Sequence, residues 1–252
     1  MLECLHHQSF KNFEHIIVND GSTDDTVLEL QRFQNKHKEY PLKVISSLKS
    51  GRGHSLNQAI ALSTTNWVAI IDCDDLWDIN KLHLQWEVVC ENEFDVIATR
   101  SVLFSDSNDI TLRSSLTKTE KLTHVSLKDI LRSNPLLHSS VLIRRELCVY
   151  DIHRKSQFDY ELWLRLAHDG YKIAILNEYL TYHRIHENQS FEGKMSKAYL
   201  WRSFKLKFDY SLNVFHLKSI IYNPLKFIFD LLLPRDTRLF IKKSLGIGIT
   251  KQ

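Results

Sequence analysis

Trp67–Ile71 reads WVAII, an unbroken apolar run followed at once by Asp72, Cys73, Asp74 and Asp75. Such a run describes a strand buried on both faces, as in a parallel sheet covered by helices. Ligands of an open α/β sheet bind outside the carboxyl ends of its strands, so the three carboxylates stand at a ligand edge. The text before this segment supplies matching elements. Glu14–Asn19 (EHIIVN) predicts a strand ending in the turn signal Asp20-Gly21-Ser22. Thr23 or Asp24 can cap a following helix that carries Val27, Leu28, Leu30 and Phe33. Leu42–Ser46 predicts a second strand, and a Gly-containing loop then opens a helix with Leu56, Ala59, Ile60 and Ala61. Leu82–Cys90 reads as helix and Phe94–Phe104 as strand. This alternation predicts a doubly wound α/β sheet. Beyond Ser105 the pattern mixes: a helix over Val125–Arg132, a strand over Ser139–Arg144, a helix over Tyr160–His168, and strands over Tyr171–Ile175 and Tyr179–Ile185.

Charge divides the chain. Residues 194–252 hold 12 of the 33 basic and 3 of the 30 acidic residues, a balance of +9 against −6 for residues 1–193. An acidic body argues against nucleic acid as its ligand, whereas the basic tail favours an anionic surface as neighbour. No run of about 18 uncharged apolar residues exists, so no membrane-spanning helix is expected. Met1–Phe10 lacks the pattern of a secretory signal. Cys4, Cys73, Cys90 and Cys148 form neither a CxxC pair nor a dense framework, and read as reduced, mostly buried thiols of a cytoplasmic protein.

Five segments can carry chemistry. Asp72 and Asp74, two apart, can project to one side, and a hard divalent cation, Mg²⁺ or Mn²⁺, would relieve their repulsion while bridging to phosphate. The competing reading is a solvated acidic turn before the helix at Lys81. Asp20 can accept hydrogen bonds from a nucleoside, or merely close a turn. In Ser50-Gly51-Arg52-Gly53-His54 the glycines permit close backbone approach and Arg52 can meet a diphosphate, but Leu56 stands where a dinucleotide fingerprint needs glycine. Asp159 can act as general base toward a hydroxyl, or simply oppose a helix dipole. Glu161 and Arg165 are four apart on the same helix. His183 and His186 have HxxH spacing, which on a strand turns the two rings to opposite faces, so at most one joins Asp74 around a cation.

Taken in order, IIVNDGSTDDT, GRGHSLNQAI, WVAIIDCDDLW, NPLLHSSVLIRRE, FDYELWLRLAHDGYKI and YHRIHENQSF resemble the family 2 glycosyltransferases of GT-A fold, over roughly Leu2 to Phe191. The resemblance implies a GT-A domain over residues 1–193, and the charge and aromatic pattern of 194–252 reads as a basic amphipathic helical tail. It implies that Asp20 binds the nucleoside and that Asp72 and Asp74 are the DxD pair holding nucleotide and divalent metal. It further implies that Asp159 is the base for the acceptor hydroxyl and that His186 is the late histidine near the diphosphate and metal. The expected reaction moves a sugar from a nucleotide-diphosphate donor to a glycan or lipid-linked glycan hydroxyl, with inversion, in cell-surface polysaccharide synthesis. A phosphatase-type DxD nucleophile is disfavoured, because that motif would follow a first strand and here at least two strands precede it.

Two departures from the pattern stand out. Phe158 replaces the Glu usual before the catalytic Asp. The family also opens with an apolar strand leading to a Pro-x-Tyr-Asn-like turn, whereas Met1 here falls inside the following helix (LECLHHQSFKNFE). The absent strand would lie between Glu14–Asn19 and Trp67–Ile71, so an N-terminally shortened chain is expected, with a degenerate, non-catalytic family member as the alternative. In the tail, Trp201, Phe204, Phe208, Phe215, Phe227 and Phe229 interleave with Lys and Arg. That pattern suits either an interfacial helix on an anionic bilayer, at the inner face of the cell membrane, or helices packed on the catalytic domain.

Overall fold

The computed structural model describes residues 1–105, 120–185, 197–233 and 237. A short helix α1 (Leu2–His6) precedes β1 (His15–Asp20), α2 (Thr26–Lys36) and β2 (Leu42–Ser47), and β1 and β2 pair in parallel from His15/Leu42 to Asp20/Ser47. After α3 (Arg52–Leu62) come β3 (Trp67–Ala69), β4 (Leu76–Trp77), α4 (Lys81–Glu91) and β5 (Val96–Phe104). Then follow β6 (Leu122–Val125), α5 (Leu127–Arg132), β7 (Leu142–Arg144), α6 (Phe158–His168) and β8 (Ile173–Arg184). The chain continues into α7 (Lys197–Asn213) and α8 (Leu217–Leu232).

The larger sheet is mixed, in the order β3-β7-β5-β8-β4, with β6 also paired to β8. Its spine is the parallel pair β5–β8, and β3–β7, β5–β7, β4–β8 and β6–β8 are antiparallel. Alternation along the spine sets the layers. Val96, Ala98, Ile173 and Ile175 face a core shared with Ile130, Leu162, Trp163 and Leu166. Ile97, Ala174 and Leu176 face the opposite side, against Val88 of α4. Each fully buried Leu or Ile in these layers stabilises the fold by about 1.5–3 kcal/mol relative to exposure.

Several expectations are revised. The Trp67–Ile71 run is strand only over Trp67–Ala69, and those three residues are half-buried, because β3 pairs with β7 alone. Tyr171–Ile175 and Tyr179–Ile185 are parts of one strand. The polar Asn177 between them is accommodated because its side-chain oxygen accepts from Arg100 and Thr123 and its amide nitrogen donates to the Glu120 carbonyl. The expected helix LECLHHQSFKNFE is helical only over Leu2–His6, and Gln8 leaves it to cap α4, its Oε1 accepting the Leu82 N–H at 3.1 Å. The thiols are not mostly buried: only Cys148 is, while Cys73 and Cys90 are exposed.

Among the described residues no strand lies between β1 and β3, and β1–β2 forms a separate two-stranded sheet. α3 packs on β1 and sends Leu56 and Ile60 into the cluster that holds Val68 and Ile70. On the opposite side Leu5 of α1 meets Phe13, Ala69, Ile71 and Trp77. Helices thus hold the two sheets together where backbone pairing does not.

The basic tail contributes to the core. Leu206 of α7 is buried in the main cluster with Tyr210 beside it, and Arg202 Nε donates to Ser156 Oγ at 3.1 Å. α8 packs chiefly on α7.

Candidate active site

The first corner forms where β1 ends. Gly21 takes φ +73°, and a Cβ there would stand 3.2 Å from the Lys49 nitrogen, so glycine lets the loop before α3 close on the strand end. Both Asp20 oxygens are then used: Oδ1 accepts Ser50 N–H at 2.6 Å and Ser50 Oγ at 3.0 Å, and Oδ2 accepts Gly51 N–H at 2.9 Å. The Ser50 N–H is the main cause that holds the Asp20 carboxyl below its ordinary pKa.

Arg52, one residue into α3, reaches across the crevice to the end of β3. Its Nη2 donates to Asp72 Oδ1 at 2.6 Å and lies 3.1 Å from His138 Nδ1. His138 Nε2 meets the Tyr150 hydroxyl at 2.8 Å, and Ser139 Oγ accepts the Asp72 N–H at 2.9 Å. Burial works to raise the Asp72 pKa, but His138 and the Arg52 guanidinium outweigh it and hold the carboxyl well below the usual range. The turn that carries His138 and Ser139 is itself fixed from beneath. Trp77 Nε1 donates to the Ser139 carbonyl at 2.7 Å, and Gln85 Nε2 donates to the Ser140 carbonyl at 3.0 Å.

The three carboxylates after β3 part company. Asp75 is fully buried, its Oδ1 accepting His183 Nδ1 at 2.9 Å and the Arg184 N–H at 3.1 Å, while its Oδ2 is buried without a hydrogen bond. Burial opposes the charge on His183, yet Asp75 prevails and raises its pKa, with Asp74 and Asp72 adding to the effect. Asp74 stays at the rim, its carbonyl accepting Arg184 Nε at 3.0 Å.

Asp159 sits in the first turn of α6, where Asn134 Nδ2 donates to its Oδ2 at 3.2 Å. Its neighbour Phe158 lies against the start of α3. A Cβ on Gly53 would lie 3.1 Å from Phe158 Cε1 and 3.3 Å from the Asp151 carbonyl, so the starts of α3 and α6 touch only because residue 53 is glycine. Gln157, just before α6, holds the left-handed conformation at φ +59°.

The structure therefore pairs Arg52 with Asp72, brings the start of α6, which carries Asp159, against the start of α3, and ties Asp20 to the loop just before α3. His186 lies outside the described residues. His138, Tyr150 and Asn134 are further neighbours that the sequence did not single out, and His183, one of the HxxH pair, meets Asp75 rather than Asp74. His138 lay in the quoted NPLLHSS segment and His183 in the HxxH pair, but nothing in the spacing said which carboxylate each would meet. As for a cation, Asp72, Asp74 and the orphaned Asp75 oxygen offer the hard oxygen donors that suit Mg²⁺ or Mn²⁺. Among the described residues, no three acidic, imidazole or thiol groups converge tightly enough to hold one by themselves.

Comparison with known proteins follows the same lines. The family model described as "Glycosyl transferase family 2" matches residues 1–147. An uncharacterized glycosyltransferase of Methanocaldococcus jannaschii is 25% identical over 244 residues, 92% of this chain and 83% of its own. The putative teichuronic acid biosynthesis glycosyltransferase TuaG of Bacillus subtilis is 27% identical over 76% of this chain and 75% of its own. The Escherichia coli UDP-Glc:alpha-D-GlcNAc-diphosphoundecaprenol beta-1,3-glucosyltransferase WfaP is 26% identical over 71% and 68%. Among solved structures, S. aureus TarS 1–349 in complex with UDP-GlcNAc superposes with a TM-score of 0.66 at 21% identity, over 84% of this chain but only 62% of its own. The mannosyltransferase PcManGT of Pyrobaculum calidifontis, in complex with GDP-Man and Mn²⁺, gives 0.60 at 14% identity over 99% and 76%.

Proposed function

Because the chain belongs to glycosyl transferase family 2 and has the GT-A fold, we propose that it moves a sugar from a nucleotide-diphosphate donor to a glycan hydroxyl, with inversion, in the building of a cell-surface polysaccharide. The observation that carries this reading is the ion pair of Arg52 with Asp72 at the start of α3, where Gly53 also meets Phe158, the residue before Asp159. Asp20, held by the Ser50 and Gly51 amides, faces the nucleoside, and Arg52 turns from Asp72 toward the diphosphate as the donor enters. Asp159 takes the proton of the acceptor hydroxyl as that oxygen attacks the anomeric carbon, and Asn134 keeps its carboxylate aimed. Asp74 and Asp72, with His186 and the donor's own phosphate oxygens, would hold Mn²⁺ or Mg²⁺, whose chemistry is to offset charge on the leaving diphosphate. TuaG and WfaP support a polysaccharide or lipid-linked acceptor by their names alone, and the basic tail supports work in the cytoplasm at the inner face of the cell membrane.

Transfer measured with a panel of nucleotide sugars and Mn²⁺ tests the reading. Asp159→Asn should lower the rate roughly 10²–10⁴-fold while the donor still raises the melting temperature. A chelator should remove transfer without unfolding the protein. Equal rates in Asp159→Asn and the parent chain would refute the assignment. The division of the sheet between β1 and β3 favours a second reading, a non-catalytic family member. That reading expects donor binding with neither hydrolysis nor transfer under any metal.

A further inference from the structure

The polarity of α8 is turned inside out. Its inward arc carries Ser219, Asn223, Lys226 and Asp230. Ser219 and Asn223 are buried, Asn223 Nδ2 donates to Ser211 Oγ of α7 at 3.2 Å, and Lys226 pairs with Asp230 at 2.6 Å. Its outward arc carries Leu217, Ile221, Leu225, Ile228 and Leu232, spaced four, four, three and four residues apart, which is one face of a helix. These five are 68, 56, 62, 49 and 72% exposed, and Phe215 in the preceding turn is 88% exposed. A contiguous apolar stripe of this kind marks a surface that something covers. The inward anchors that hold α8 on α7, with Phe227 stacked on Phe204 at 4.8 Å, leave the stripe no route into the core.

We propose that this stripe docks on an anionic bilayer, α8 lying in the plane of the interface with its five aliphatic side chains at the boundary between headgroups and acyl chains. Charge selects this occupant. The described helical pair, residues 197–233, holds six basic and two acidic residues, a balance of +4, and Lys218 is exposed beside the stripe. Two copies of the hairpin facing each other would set like charges together, whereas anionic headgroups oppose them. Length also agrees: sixteen residues span about 24 Å, and no described helix is long and apolar enough to cross a membrane, so α8 lies on the surface. This deepens the membrane placement proposed above and stands apart from sugar transfer, since vesicle binding needs no donor.

The test is co-sedimentation of the full chain with vesicles of phosphatidylglycerol and phosphatidylcholine, against vesicles of phosphatidylcholine alone, without nucleotide sugar. Binding is expected to the anionic vesicles and to weaken as salt rises. Leu217→Ser/Ile221→Ser/Leu225→Ser should reduce it at least tenfold with an unchanged melting temperature, because all three side chains already face outward. Lys218→Glu, which leaves the stripe whole, should reduce it less and flatten the salt dependence. Absent binding of the parent chain, equal binding by the triple variant, or equal affinity for neutral vesicles would overturn the proposal. So would a parent chain that is dimeric without vesicles and becomes monomeric in the triple variant, which would give the stripe to a second copy.

Discussion

His138 shows how one side chain governs several others. It is 6% exposed, touches Arg52 and Asp72 on one side and the fully buried Tyr150 hydroxyl on the other. Removing it would leave the buried Tyr150 hydroxyl with only the weak Cys148 Sγ donor at 3.7 Å and release Arg52 from one of two partners. We expect His138→Ala to cost about 1–3 kcal/mol in urea unfolding. It should also weaken donor binding more than Arg52→Lys does, as read by thermal shift. The trio of aspartates was legible as a cluster, because three carboxylates after an apolar run need no tertiary knowledge to be noticed. Their separate fates were not. Asp72 meets α3, and Asp75 turns inward to a strand more than a hundred residues away. Only the packing of β8 beside β4 decides that.

At the scale of elements, α3 and α6 meet closely at Gly53. Gly53→Ala would press a methyl group against Phe158 and the Asp151 carbonyl while gaining about 1 kcal/mol of helix propensity, so a net loss of stability would show that the contact cannot give. Phe158→Leu in the same chain should restore part of that stability, which chemical denaturation of the single and double variants can measure. The start of β1 provides a pH test. Glu14 is tied to Lys43 and to the Thr64 N–H, and these bonds, the lysine's first, lower its pKa to about 2. Stability from Glu14 is therefore full above about pH 4.5 and is lost as pH falls toward 2. Burial pushes the neighbouring His15 down to about 4, so its share begins to fade below about pH 6.5. Glu14→Gln should remove the lower step of the stability profile, about 1 kcal/mol given that Lys43 is half exposed, and leave the upper step in place.

For the whole molecule, the tail is a hybrid of the two arrangements its sequence allowed: α7 packs inward and α8 turns its apolar face outward. Leu206 is 8% exposed within the main cluster, so Leu206→Ala should destabilise the entire domain by about 2–4 kcal/mol in a single unfolding transition. A chain whose tail folded independently would instead keep its main transition unchanged. The sheet divided between β1 and β3 is the other property of this scale. Helices α1 and α3 bridge it with side chains, and no local pattern in WVAII or EHIIVN reports which backbone edges are left open.

Sequence alone determined the alternation of strands and helices, the site-bearing strand ends and the charge asymmetry. Each depends on periodicity, turn chemistry or composition, which act over a few residues or over simple sums. Tertiary structure decided that β3 is half-buried, that Asn177 sits within one continuous strand, and that Arg52 bridges Asp72 to His138. It also decided that α8 buries its polar side chains. Those outcomes depend on which groups meet across long loops, where a hydrogen bond or an ion pair gained in the packed chain overrides what each segment prefers by itself.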